Sequence, residues 1–450
     1  LSCPNSVATQ QEKNSKITVG YVNGYYYDYT FDASKLPWNI THINWIAFKP
    51  DDQSNKDIPF SGANTAITNL NKTVKYRNDN KINTNIFLAI VLSGNLNINN
   101  DFKNKQPFAS NKTERASFVS NVINFVYKFG LDGVDLEYPD RYGCGKWNGS
   151  ENFIPLVDEL SSALKVIKKS LSITVGNNPI KGLNISSTDF INVMPFKQNE
   201  ISNKTGPSIT FDQISNIMDG WSKTVDPKKL ILGVAAYGIV ELTKAIDGSL
   251  DNNNTVPLDT TVDIKAFVFD ATSSSDNSST ASYYDVCSFK EVYYLNVGSC
   301  LAIRSKTGPL SSSCTAQNGW TRVFDSNVKS TYIFKVYNTS VVVGSPNPLT
   351  TYYYVTYEDF QSIQYKLKLI IDKSYGGIAL DGLGIGCDDM IRAVESIFPV
   401  DGYNPPPGPS SNSNVDPLSA ILVALACLVF CCGGGGYYYD QYGRKYLRVG

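Results

Sequence analysis

Histidine is almost missing from this chain: His42 stands alone among 450 residues. A Ser-His-Asp triad would have to be built on that one ring, and a zinc site would need cysteine or carboxylate ligands instead. His42 also lies in Ile40-Thr-His-Ile-Asn-Trp-Ile-Ala-Phe48, an apolar strand-like run where a hydrogen-bonded structural histidine is expected. An excess of either charge is equally lacking. Forty Lys and Arg stand against 41 Asp and Glu, so no basic field draws nucleic acid. Neither a metal nor an organic cofactor is implied.

Aromatic residues are plentiful by contrast, at 12% with 28 tyrosines. Tyr suits flat apolar ligands with polar edges, such as sugar rings, and suits many cores equally well. Cys3, Cys144, Cys287, Cys300, Cys314 and Cys387 precede residue 400, an even set able to form three disulfides in an oxidising compartment. Their pairing is not readable from the sequence. The chain begins at Leu1 with no apolar leader, which fits removal of a signal peptide. Asn-X-Ser/Thr sites at Asn39, Asn71, Asn111, Asn148, Asn184, Asn203, Asn253, Asn277 and Asn338 have the density expected of a glycosylated extracellular surface.

Residues 401–416 form a Pro/Ser/Asn linker, with Asn404-Pro-Pro-Pro-Gly-Pro409 as its stiffest part. The apolar residues 418–436 follow without a charge, 19 residues or about 28 Å of helix at roughly 1.5 Å per residue. The expectation is a single transmembrane helix over 417–436. Arg444, Lys445 and Arg448 after it place the 437–450 tail in the cytoplasm and the preceding residues at the cell surface. Cys431 and Cys432 at its inner end are candidates for palmitoylation.

The chemistry-bearing stretch is Gly130-Leu-Asp-Gly-Val-Asp-Leu-Glu-Tyr-Pro139. Side chains alternate along a strand, so Asp135 and Glu137 share one face while Val134, Leu136 and Tyr138 take the other. Two crowded carboxyls raise at least one pKa, which keeps a general acid protonated. The plainer alternative is a capped strand with solvated acids.

Eight strand-like runs recur along residues 16–400: Lys16–Tyr21, His42–Phe48, Ile86–Leu92, Leu131–Glu137, Leu171–Gly176, Phe190–Phe196, Leu230–Tyr237 and Gly376–Leu380. Amphipathic stretches alternate with them; in 114–129, Phe118, Val122, Phe125, Val126 and Phe129 share a helical face. This pattern predicts a (β/α)8 TIM barrel over 16–240 and 350–400, after an N-terminal segment of residues 1–15. Its active site would lie at the strands' C-terminal ends. Residues 241–349 exceed one crossover and predict a small inserted α+β domain beside the mouth.

Several segments together resemble the family 18 glycoside hydrolases, the chitinases and chitinase-like lectins. They are Ile17-Thr-Val-Gly-Tyr21, Thr41-His-Ile-Asn-Trp-Ile-Ala-Phe48, Phe118 through Gly133, Leu230-Ile-Leu-Gly-Val-Ala-Ala-Tyr-Gly238 and Val355-Thr-Tyr-Glu-Asp-Phe-Gln-Ser-Ile363, in the family's order. The resemblance implies a chitin or N-acetylglucosamine glycan as partner. It also implies substrate-assisted cleavage of β-1,4 links, in which the sugar's own acetamide attacks the anomeric carbon. Under it, Glu137 is the general acid and Asp135 holds the acetamide, while Tyr21, Tyr138, Met194, Phe196, Tyr237 and Asp381 contact substrate.

The family pattern Asp-Gly-X-Asp-X-Asp-X-Glu is two residues longer than Asp132-Gly-Val-Asp-Leu-Glu137. Aligned from the contiguous Glu137-Tyr-Pro139, the preferred register, Glu137 is the acid. Aligned from Asp132-Gly133, Glu137 instead takes the place of the partner Asp, about 6.6 Å lower in the barrel at roughly 3.3 Å per residue. Other positions depart as well. The family's Met-X-Tyr-Asp reads Met194-Pro-Phe-Lys197, its strand-eight Trp aligns with Asp381, and Ser-X-Gly-Gly on strand three is Ala89-Ile-Val-Leu92. Lys197 and Asp381 would project into the mouth, where a cation beside Glu137 favours its ionised form. The reading is therefore a membrane-anchored chitinase-like protein that binds glycan with hydrolysis in doubt. The alternatives are an active chitinase and a structural surface glycoprotein.

Overall fold

The computed structural model describes residues 16–23, 31–48, 64–91, 111–138, 150–195, 205–207, 209–236, 238–243, 262–268, 278–285, 290–299, 302–303, 315–316, 321–340, 349–383, 388–398, 438–439 and 445–446. Residues 1–403 form one compact unit and 404–450 another.

In the first unit the strands β1 (Ile17–Asn23), β2 (His42–Phe48), β3 (Asn85–Val91), β4 (Gly133–Glu137), β5 (Ser170–Val175), β6 (Phe190–Val193) and β7 (Leu230–Ala235) are joined by β17 (Gly377–Leu383). They close a parallel barrel in the order β1-β17-β7-β6-β5-β4-β3-β2. The expected strands are all present. The sixth is shorter than its apolar run, ending at Val193 just before Pro195, which lacks the N–H to extend a ladder.

Helices α1 (Asn64–Asp79), α2 (Lys112–Phe129), α3 (Ser150–Val166), α4 (Phe211–Ser222), α5 (Phe360–Asp372) and α6 (Asp388–Ile397) accompany the strands. The α2 helix is capped by Asn111, whose side chain accepts from the Thr113 and Glu114 amides, and closes on Gly130 at φ 62°. That left-handed position suits glycine because it carries no Cβ. The chain then turns straight into β4.

The barrel interior is layered. At its floor the rings of His42, Phe87 and Phe190 meet, with centroids 5.0 Å apart for His42–Phe87 and 5.1 Å for His42–Phe190. Thr41 Oγ1 donates to the Thr18 carbonyl at 2.8 Å, so it accepts from His42 Nδ1–H, also at 2.8 Å. Nε2 then accepts from Asn85 Nδ2 at 3.3 Å. The ring is neutral and satisfied, as the sequence suggests, and burial holds its pKa down at about 4. Above this floor lies a belt of buried polar side chains.

Between β7 and α5 the chain leaves the barrel and builds a second sheet. Its strands are β8 (Gly238–Thr243), β9 (Val262–Val268), β10 (Ser278–Asp285), β11 (Lys290–Ser299), β14 (Thr321–Asp325), β15 (Ser330–Ser340) and β16 (Leu349–Tyr357), in the order β11-β10-β9-β8-β16-β15-β14. The short β12 (Ala302–Ile303) and β13 (Thr315–Ala316) pair with each other. The insertion sits where expected, but its described residues are strand and turn, in place of mixed α+β structure. Alternation explains this: along 349–354, Thr350, Tyr352 and Tyr354 are buried while Leu349, Thr351 and Tyr353 are half-exposed, and Tyr332 stacks on Tyr354 with centroids 4.7 Å apart.

The linker and the apolar span at 417–436 lie outside the described residues. So do Cys3, Cys144, Cys287, Cys300, Cys314 and Cys387, together with Cys431 and Cys432. Among the described residues no helix is long and apolar enough to cross a membrane. In the second unit β18 (Tyr438–Tyr439) pairs antiparallel with β19 (Lys445–Tyr446).

Candidate active site

The β4 strand is fixed from its lower end. Asp132 Oδ2 accepts from the Ile86 amide at 2.9 Å and from Arg77 Nη1, and Lys169 Nζ lies 3.7 Å from Oδ1. Asp132 is thus a structural anchor tying β4 to α1 and β3. Next to it, a Cβ on Gly133 would meet the Phe87 ring at 2.7 Å and the Ser170 carbonyl at 2.6 Å. Glycine is needed there because the floor ring fills the space.

From that anchor the ladders with β3 and β5 run to Glu137 with no register shift, and the Tyr138 amide continues them to the Thr174 carbonyl at 2.7 Å. No bulge makes up the two residues by which this motif is short.

Asp135 faces inward and is 1% exposed. Ser172 Oγ donates to its Oδ1 at 2.6 Å and Asn192 Nδ2 to the same oxygen at 3.1 Å. Thr174 Oγ1 donates to Oδ2 at 2.8 Å, and the Tyr21 hydroxyl reaches that oxygen at 3.0 Å. Tyr21 also lies 2.5 Å from Thr174 Oγ1 and accepts from Asn192 Nδ2 at 2.8 Å. A carboxylate has roughly four acceptor sites, and four side chains occupy them here. Burial raises the Asp135 pKa while these hydrogen bonds pull it back. Burial and the neighbouring Asp135 charge push the Tyr21 phenol well above its ordinary range. Asn44, wholly buried on the strand position beside Tyr21, helps lower that phenol, yet neither of its amide atoms makes a well-aligned hydrogen bond among the described residues.

Glu137 lies two positions above Asp135 on the same face, next to Val91 and Thr174, and is 6% exposed. Asp381 is 7% exposed on β17, between Tyr21 and Ala235 in the ladder. The structure therefore places Glu137, Asp135, Tyr21 and Asp381 on the barrel's inner face. Tyr138 points the other way, edge-on to Phe153 of α3 with centroids 5.1 Å apart. Its ring belongs to the layer between barrel and helices, as parity along the strand requires. Met194 is fully buried, against Gly233, where a Cβ would meet its sulfur at 2.2 Å. Phe196, Lys197 and Tyr237 lie outside the described residues.

Ser172, Thr174, Asn192 and Asn44 escaped the sequence reading although a signal exists for them. Leu171-Ser-Ile-Thr-Val175 and Phe190-Ile-Asn-Val193 carry lone polar residues at alternate positions. A parallel strand is buried on both faces, so such residues are buried among other polar groups. Of the glycosylation candidates, Asn71, Asn111 and Asn184 are exposed, Asn39 is half-buried and Asn338 lies within β15. Asn148, Asn203, Asn253 and Asn277 lie outside the described residues.

Against known proteins, residues 17–380 match the family described as Glycosyl hydrolases family 18. The chain belongs to that family. An endochitinase of Manduca sexta is 23% identical over an alignment of 341 residues, with coverage of 68% of this chain and 53% of that protein. The chain thus spans about half the length of that curated relative. Among solved structures, a Group IV chitinase of Ostrinia furnacalis superposes with a TM-score of 0.58 at 15% identity, covering 85% of this chain and 99% of that one. A class V chitinase mutant of Cycas revoluta in complex with (GlcNAc)3 gives 0.55 at 19% identity, with coverage of 85% and 99%. For this family 18 chain these likenesses carry the barrel fold.

Proposed function

We propose that the protein is a chitinase-like lectin that binds N-acetylglucosamine glycans at the barrel mouth without hydrolysing them efficiently. The observation that carries this reading is the saturation of Asp135. A carboxylate sealed below the mouth by Tyr21, Ser172, Thr174 and Asn192 has no acceptor site left to hold an acetamide. The continuous ladder from Asp132 to Tyr138 favours the alignment from Asp132-Gly133, in which Glu137 occupies the partner-acid position. Substrate assistance needs two carboxyls in distinct roles, and β4 then offers the mouth only one.

Glycan binding is supported by family membership and by the (GlcNAc)3 in the complex of the Cycas protein. The surface reading stands beside it: exposed Asn71, Asn111 and Asn184 carry glycans, and residues 417–436 anchor the chain in a membrane. Glycosidase treatment that leaves the mass unchanged, or full release by alkaline carbonate, would remove these two parts separately.

The deciding experiment pairs chitin retention with fluorophore release from a chitooligosaccharide. Retention without release is expected. Release abolished by Glu137→Gln would establish an active chitinase, and neither retention nor release would leave a structural glycoprotein.

A further inference from the structure

The inserted sheet is joined to the barrel through β8, which follows β7, and through β16, which leads into α5. These two strands are neighbours in the sheet. Attachment through adjacent strands alone would let the sheet rock about them as a hinge. The hairpin β14–β15, at one edge of the sheet, adds contacts of its own, to the start of α5 just past the β16 connection and to α4.

There Arg322 of β14 donates from Nε to Asp359 Oδ2 at 2.9 Å and from Nη2 to the same oxygen at 2.5 Å, with a further bond to Gln361 Oε1 at 3.0 Å. The side chains are 10% and 1% exposed. Asp359 is also the N-cap of α5, its Oδ1 accepting from the Gln361 and Ser362 amides and from Thr331 of β15. One carboxylate therefore ends the helix and holds both strands of the hairpin. Beside it, Phe324 stacks on Tyr365 of α5 with centroids 5.7 Å apart. The Phe211 amide of α4 donates to the Val328 carbonyl at 3.2 Å, and Lys329 Nζ lies 4.3 Å from the Phe211 ring.

We propose that Arg322 is a positioning residue for the glycan cleft: through Asp359 it stops the sheet from rocking, and so sets how many sugar units the cleft covers. This rests on the glycan-binding reading. Both connections of the sheet emerge at the C-terminal rim, since β7 ends at Ala235 and Asp359 opens the helix that runs back to the start of β17. A sheet at the rim touches the distal units of a long oligosaccharide and misses a short one. A fixed surface also binds without first being ordered, which saves affinity otherwise lost to that ordering.

The test compares wild type with Arg322→Ala and Arg322→Lys. It measures affinities for the N-acetylglucosamine dimer and hexamer, and amide hydrogen exchange over Ser330–Phe334. For Arg322→Ala we expect about a tenfold loss for the hexamer with the dimer unchanged, and faster exchange; Arg322→Lys should recover part of both. Unchanged exchange in a variant with a wild-type melt overturns the clamp, whatever the glycan results. Faster exchange with equal losses for dimer and hexamer, or with none, overturns the link to chain length. A variant that does not fold leaves the comparison to Arg322→Lys, where the same two readouts apply. If wild type binds neither oligomer, the glycan reading fails and the length dependence fails with it, while exchange still reports the clamp.

Discussion

Phe87 occupies the space that a side chain on Gly133 would need, and the backbone of Ser170 closes the same space from the other side. Gly133→Ala should therefore destabilise the protein by about 1–3 kcal/mol through overpacking. Phe87→Leu in the same chain should relieve only part of the cost, because the Ser170 carbonyl remains. Urea midpoints of the single and double variants measure this.

The donors around Asp135 are expected to matter for stability more than for binding. Asn192→Ala removes bonds to both Asp135 and Tyr21 and leaves a buried carboxylate short of one partner. A loss of about 1–3 kcal/mol is expected, with chitin retention within twofold of wild type. A larger fall in retention than in stability would place Asp135 in the ligand contact after all.

His42 makes stability depend on pH in a defined window. Its folded pKa of about 4 lies below the ordinary histidine value of 6.5, so the unfolded chain takes up the proton first. Stability from this residue is full above pH 6.5 and falls as pH drops toward 4, by up to about 3 kcal/mol. Denaturant melts of wild type and His42→Gln across this window should show the variant with the shallower slope. Parallel curves would show that the ring does not titrate as its burial requires.

Restoring the length of the acidic motif is a gain-of-function test. Inserting an Asp and one further residue between Leu136 and Glu137 recreates Asp-Gly-X-Asp-X-Asp-X-Glu and carries the glutamate about 6.6 Å further along the strand. Fluorophore release should rise at least about a hundredfold, in keeping with general acid catalysis, and rise again with Asp381→Trp. If wild type already matches the inserted variant, the shortened motif is not what limits turnover.

The barrel was legible because parallel strands are local apolar runs. The segment around His42 and the one from Leu230 to Ala235 need no distant partner to be recognised. Asp135 illustrates the limit. Its position and facing follow from parity, but its availability depends on Tyr21, Ser172, Thr174 and Asn192, which lie on three other strands and converge only after closure. Tyr138 shows parity neglected, since the same alternation that turned Asp135 inward sent this ring toward Phe153. In the insertion, where the described residues are strand and turn, alternation such as that of Thr350, Tyr352 and Tyr354 needs a neighbouring strand before it can be told from a helical face.

The floor of the barrel also supplies an experimental handle. Since His42 is the chain's sole histidine, its imidazole signals in a nuclear magnetic resonance spectrum would not overlap those of another histidine. Its Nδ1–H is held by Thr41 and its ring packs edge-on against Phe87 and Phe190. One resonance, needing no introduced label, therefore reports whether the innermost layer of a 450-residue chain stays closed.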